Sequence, residues 1–174
     1  CSFLEFLDGI NETYDADLIR NFQADPVHER LIRHFNSYAL VGGMPAAIVQ
    51  YAENKDILSI TPIYESLLES YKDDAEKYAS NETIAKVIRH ILQVGWNYAG
   101  EVISFERFGG SNFKSREMGI AFRLIEKALL MELVYPTSET KLPVLSDFRR
   151  KPKLIWLDTG LVNFASKIQQ EVFS

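Results

Sequence analysis

The sequence predicts a mainly α-helical fold, a helical bundle followed by a second helical domain that carries a small β-hairpin. Three observations predict it. Apolar residues recur at 3.6-residue spacing through most of the chain. Gly and Pro interrupt those runs at short intervals. Two short apolar runs, Leu133-Val-Tyr135 and Leu154-Ile-Trp-Leu157, read as a strand and its return partner.

Taken in order, Ser2 caps a short helix with Phe3, Leu4, Phe6 and Leu7 on its apolar face, stopped near Gly9. Residues 9–17 are polar and acidic and read as a loop. Asp25 as cap and Pro26 in the first turn open a second helix through Val27, Leu31, Ile32 and Phe35. Gly42-Gly43-Met44-Pro45 breaks the chain, and Pro45 opens a third helix through Ala47, Ile48 and Tyr51. A longer helix follows Asn54-Lys55-Asp56. Its buried side is Ile57, Ile60, Tyr64, Leu67, Leu68, Tyr71 and Ala75, with Pro62 as an early boundary or kink. Residues 82–97 are amphipathic, with Ile84, Val87, Ile88, Ile91 and Leu92 inward. A short segment from Val102 to Phe108 is read as a short helix ending at Gly109-Gly110. The strongest helical pattern spans about 115–132, striped by Met118, Phe122, Ile125 and Leu129. These patterns divide the chain into a bundle at 1–79 and a hairpin-bearing domain at 80–160, after which residues 161–174 remain.

With 174 residues, 47% hydrophobic and 12% aromatic, the chain has material for a core. Its net charge of −5 is uneven. Residues 1–79 hold 6 Lys/Arg against 14 Asp/Glu, whereas residues 80–160 hold 12 against 9. The first half is therefore a poor surface for nucleic acid, and the second half permits one. Cys1 is the only cysteine, so no internal disulfide and no cysteine-rich metal site can form. No apolar run is long enough to span a membrane, and no signal core is visible. A cytoplasmic protein without membrane partners is expected. A lipidated Cys1 is disfavoured because Phe3, Leu4, Phe6 and Leu7 follow at once in place of a polar tether.

Motifs for catalysis are missing. Gly42-Gly43 and Gly109-Gly110 lack the Lys-Ser/Thr pair of a phosphate-binding loop, and helix entry at Pro45 explains the first pair better. His28, His34 and His90 lack metal-ligand spacing, so no metal is expected. Asp73, Asp74 and Glu76 read as a solvated acidic face. Asp158, after an apolar strand and before Thr159-Gly160, reads as a helix cap or turn; a catalytic role would need partners the sequence does not supply. The chain is expected to have no active site and no cofactor of its own.

Helix, short helix, turn, long helix and hairpin is the order of the winged-helix variant of helix-turn-helix, although a generic helical domain with a hairpin fits the same pattern. Lys114, Ser115 and Arg116 stand where a recognition helix would begin, just after Ser111 and Asn112. Arg149, Arg150, Lys151 and Lys153 stand in the wing. These are the two places from which winged helices reach bases and phosphates. Glu117, Glu126 and Asp147 dilute the patch, and many winged helices contact only proteins, so duplex DNA and a partner protein are both candidate partners.

Leu40-Val-Gly-Gly-Met-Pro45, Tyr71-Lys-Asp-Asp-Ala75, Arg116-Glu-Met-Gly119, Leu124-Ile-Glu-Lys-Ala-Leu-Leu130, Val134-Tyr-Pro136, Lys151-Pro-Lys-Leu154 and Leu157-Asp-Thr-Gly-Leu161 follow one another. In that order they resemble the C-terminal region of a family of prokaryotic AAA-type ATPases, where a domain of unknown function follows a P-loop module. The opening Ser2-Phe-Leu-Glu-Phe-Leu7 is similar to the helix just past the last strand of that module. The resemblance implies that ATP and Mg are bound by a module ahead of residue 1. It also implies that the bundle at 1–79 is lid-like, and that 161–174 start a nuclease-like module past the other end, approached through Ile168-Gln-Gln-Glu-Val-Phe173. This chain would then be a non-catalytic accessory region coupling the ATPase to DNA or a partner. A protein-binding adaptor is the alternative, and a stand-alone transcriptional regulator is disfavoured by the acidic first half.

Overall fold

The computed structural model describes residues 1–23, 27–77, 79–139 and 141–167. The expected cap and first turn at Asp25 and Pro26, the side chain of Ala75 and the approach at 168–173 lie outside the described residues. The α-helices are α1 (Phe3–Gly9), α2 (Thr13–Arg20), α3 (His28–Val41), α4 (Pro45–Asn54), α5 (Thr61–Lys77), α6 (Glu82–Val94), α7 (Ser115–Lys127) and α8 (Thr159–Ala165). The strands β1 (Met131–Val134) and β2 (Lys153–Trp156) pair antiparallel, with Met131 opposite Trp156 and Val134 opposite Lys153. The chain is thus mainly helical with a small two-stranded sheet. No helix among the described residues is long and apolar enough to cross a membrane.

Two compact units form, one from Cys1–Leu68 with Asp158–Ser174, the other from Glu69–Leu157. This division differs from boundaries drawn at 79 and 160 on composition. The chain leaves the first unit inside α5 and returns to it with α8.

In the first unit, Ser2 caps α1 by accepting from the Glu5 amide, and Glu5 accepts from the Ser2 amide in return. Phe6 and Leu7 are fully buried, and Leu7 packs with Ala16 and Leu31. The expected loop at 9–17 is largely helix α2. Its pattern is hidden because one of its buried residues is Asp15, which is paired with Arg30 across to α3. Helix α3 continues to Val41, and Ile32 and Phe35, expected inside, are about half exposed. Pro45 opens α4 as expected. A 3-10 turn at Ile57–Ile60, begun by Asp56 accepting from Leu58, leads into α5, so Pro62 sits in the first turn of that helix.

In the second unit, α6 buries all five of its predicted inward residues, each contributing roughly 1.5–3 kcal/mol. Asn81 caps it by accepting from the Ile84 amide. Trp96 and Trp156 stack with centroids 3.8 Å apart, fixing β2 to the end of α6, and Trp156 Nε1 donates to the Gly95 carbonyl. No helix forms over Val102–Phe108. Val102 makes a single bridge to Lys153, and a 3-10 turn covers Phe108–Gly110. Helix α7 stops at Lys127, four or five residues before the sequence pattern ends. Leu129 takes a left-handed conformation (φ 59°), is mostly exposed, and turns the chain into β1.

Candidate functional site

Lys114, Ser115 and Arg116 surround the start of α7, and all three side chains are exposed. Lys114 and Arg116, though not Ser115, border a depression of about 360 Å³ shared with Asn81, Thr83 and Glu117. Glu117 accepts the Lys114 amide at 3.2 Å, so a carboxylate already satisfies one donor at this helix end. Just ahead, Asn112 is exposed, and the buried Ser111 hydroxyl has no hydrogen-bond partner among the described residues.

Arg149, Arg150 and Lys151 lie together on a different and larger groove of about 700 Å³. Lys153 completes its cationic side, while Val102, Val134, Tyr135 and Pro136 supply the apolar part. The bridge that ties Val102 to Lys153 holds these parts in place, along with the Ile103 amide bonded to the Pro152 carbonyl at 2.9 Å. Asp147 accepts from both the amide and Nε of Arg149, each at 3.1 Å. These hydrogen bonds from Arg149 hold the Asp147 carboxyl below its usual value. Arg149 is thus engaged, and the charge of Arg150 also acts on Asp147; among the described residues no carboxylate makes an ion-pair contact with Arg150, Lys151 or Lys153. Phe148 is 75% exposed and packs its ring on Tyr135 at 4.9 Å. Burial, and then the Glu126 carboxylate, pushes the Tyr135 hydroxyl up, so it remains a neutral donor at neutral pH. The predicted basic residues therefore form two separate sets, one at the start of α7 and one along the groove.

In the first unit, Asp158 caps α8 by accepting from the Leu161 amide at 2.8 Å. It also accepts from the Gly43 amide at 2.6 Å, joining Gly42-Gly43 to Asp158-Thr-Gly160. Gly42 has φ 79°, and a Cβ there would strike the Asp158 carboxylate. A Cβ at Gly160 would strike the Val41 carbonyl and the Tyr64 hydroxyl. Tyr64 gives its proton to that same carbonyl at 2.5 Å. The Tyr64 hydroxyl also donates to Asp158 Oδ1 at 3.3 Å, so among the described residues the Asp158 carboxylate ties Gly43, Tyr64 and the start of α8 together.

Asp15, Glu12 and His34 offer ligand atoms within 4.8 Å of one another. Arg30 forks onto both oxygens of Asp15, which already balances that charge, and His34 Nε2 is 3.5 Å from Asp15. The cluster has the geometry of a half-buried ion pair with a histidine beside it. His90 is also engaged internally, its Nε2 lying 3.0 Å from the Phe108 carbonyl, which can only accept a hydrogen bond.

A family model described as Domain of unknown function (DUF8612) matches residues 32–172. The chain belongs to this family. The DUF8612 match takes in the clasp, both basic sets and the hairpin, whereas α1 and α2 precede it. No curated protein matches the chain, and no solved structure matches it. Within the DUF8612 region, sequence reasoning singled out five of the six cations beside the two depressions as site residues and placed Lys153 in the same segment. It passed over Tyr135 and Phe148. A signal existed, since both flank the basic run, but their contact depends on how the 136–150 segment folds back, and the Asp147 amide bond to the Pro136 carbonyl closes that loop.

Proposed function

We propose that this chain is the non-catalytic accessory region of a larger P-loop ATPase, and that its second unit contacts nucleic acid. ATP and Mg would be held by a module outside this chain. The observation that carries the reading is the groove in which Arg150, Lys151 and Lys153 stand without an ion-pair contact among the described residues. The order α6, Val102 segment, turn, α7 and β1–β2, with Val102 bridged to Lys153, supports a winged-helix arrangement. The hairpin loop would then be the wing, and Lys114 and Arg116 would begin the recognition helix. The helix expected before the turn is reduced here to a 3-10 turn, a departure from that arrangement.

Anisotropy of a labelled duplex with a single-stranded overhang, at two salt concentrations, tests this. Micromolar binding that weakens steeply with salt, and weakens again in Arg150→Glu/Lys151→Glu, is the expected result. No binding at low salt would remove nucleic acid from the account. The ATPase part predicts a Gly-x-x-x-x-Gly-Lys-Ser/Thr loop ahead of residue 1 in the parent chain, and a parent without one would remove it.

A second reading, a protein-binding adaptor, is favoured by the exposure of Leu142, Val144, Leu145 and Phe148 in the hairpin loop. It predicts that a protein, and no nucleic acid, accompanies the purified chain.

A further inference from the structure

We propose that the groove beside the hairpin takes an unpaired nucleic-acid strand, with phosphates on Arg150, Lys151 and Lys153 and a base on the outer face of Phe148. The proposal rests on the nucleic-acid reading above and names the form of nucleic acid that fits. Its basis is the mixed chemistry of one concave surface. Three cations without an ion-pair contact among the described residues line a groove of about 700 Å³ whose remaining lining includes Val134 and Tyr135. At its side, Phe148 contacts the Tyr135 ring at a tilt of 59° and is 75% exposed to water.

Each class of anionic partner uses these features differently. A duplex presents phosphates but keeps its base faces stacked inside, so it would occupy the cations and leave the Phe148 ring and the apolar lining wet. A bilayer surface is flat, whereas the cations and Tyr135 line one concave groove. An acidic peptide matches the cations but brings carboxylates without flat rings for Phe148. An unpaired strand offers charge and planar faces alternately along one extended backbone, and a basic groove with an exposed aromatic is the general means of holding it.

The experiment compares a labelled single strand of about 15 nucleotides with the blunt duplex it forms with its complement, using the whole chain and anisotropy. The strand is expected to bind at least about five-fold tighter than the duplex. Phe148→Ala and Phe148→Leu should weaken strand binding by about five-fold or more, Phe148→Tyr should retain it, and none should alter duplex binding. Arg150→Glu/Lys151→Glu should lower the strand's salt slope by about 1.4, whereas Lys86→Glu on α6 should change nothing. Phe148 is exposed, so these variants should melt with the parent; if Phe148→Ala does not, the Leu and Tyr variants carry the test. A strand bound no tighter than the duplex, or held equally well by Phe148→Leu, would overturn this inference and leave the broader reading standing. Binding of neither form would overturn both. Binding to phosphatidylserine vesicles that depends on Phe148, with strand binding indifferent to it, would also overturn it.

Discussion

Asp158 joins residues 115 positions apart, because its carboxylate takes the Gly43 amide as well as the amide that starts α8. Asp158→Ala leaves a buried amide unpaired and removes a helix cap. We expect a loss of about 3 kcal/mol in urea unfolding. Gly160→Ala should cost about 2 kcal/mol or more, because the added methyl meets backbone and the Tyr64 hydroxyl. The cap was legible in Asp158-Thr-Gly160 from local chemistry alone. Its pairing with Gly42-Gly43 was not, since spacing along the chain carries no information about a contact at that separation. Asp15 is the second residue of this kind. Arg30, by hydrogen bonding, holds its carboxyl below the ordinary value of 3.8. A carboxyl lowered in the folded state adds stability above 3.8, and that stability fades as pH falls through the lower folded value. Asp15→Asn should therefore destabilise at pH 7 by roughly 1–3 kcal/mol, discounted because Arg30 is 43% exposed, and should flatten the acid limb of a pH–stability curve.

The helices that bury simple apolar stripes, α4 and α6 above all, were legible from period alone. Helix α2 was not, because a buried aspartate and a short length erase its pattern. The end of α7 was misread for the opposite reason. Ala128, Leu129 and Leu130 continue the apolar run after Lys127, and only the left-handed turn at Leu129 shows that the chain has changed direction. Glycine adopts that conformation without penalty, and the Leu129 side chain is mostly exposed. Leu129→Gly should accordingly stabilise the chain by up to about 1 kcal/mol, read as a higher thermal midpoint. At the free edge of β1, the Leu133 amide donates to Glu126 Oε1 at 3.0 Å, so a side chain from α7 occupies a position another strand would otherwise use. Glu126→Ala should expose that donor and raise concentration-dependent association, measurable by light scattering.

Charge separates the two compact units. The first holds 5 Lys/Arg against 12 Asp/Glu, and the second holds 14 against 12. Counting along the chain already showed an acidic and a mildly basic half. The discontinuous first unit was not legible, because nothing in residues 158–167 says which earlier helix they join. Nor was the separation of the basic residues into two depressions, which depends on where the hairpin loop falls. If the Arg150–Lys153 groove is the functional surface, it is where an oligonucleotide should leave its footprint. Hydrogen exchange of the chain with and without a strand-bearing oligonucleotide tests it most directly. Slowed exchange confined to residues 134–136 and 147–154, with the first unit unchanged, is the predicted result. Protection in the first unit alone, or none anywhere at saturating oligonucleotide, would contradict it.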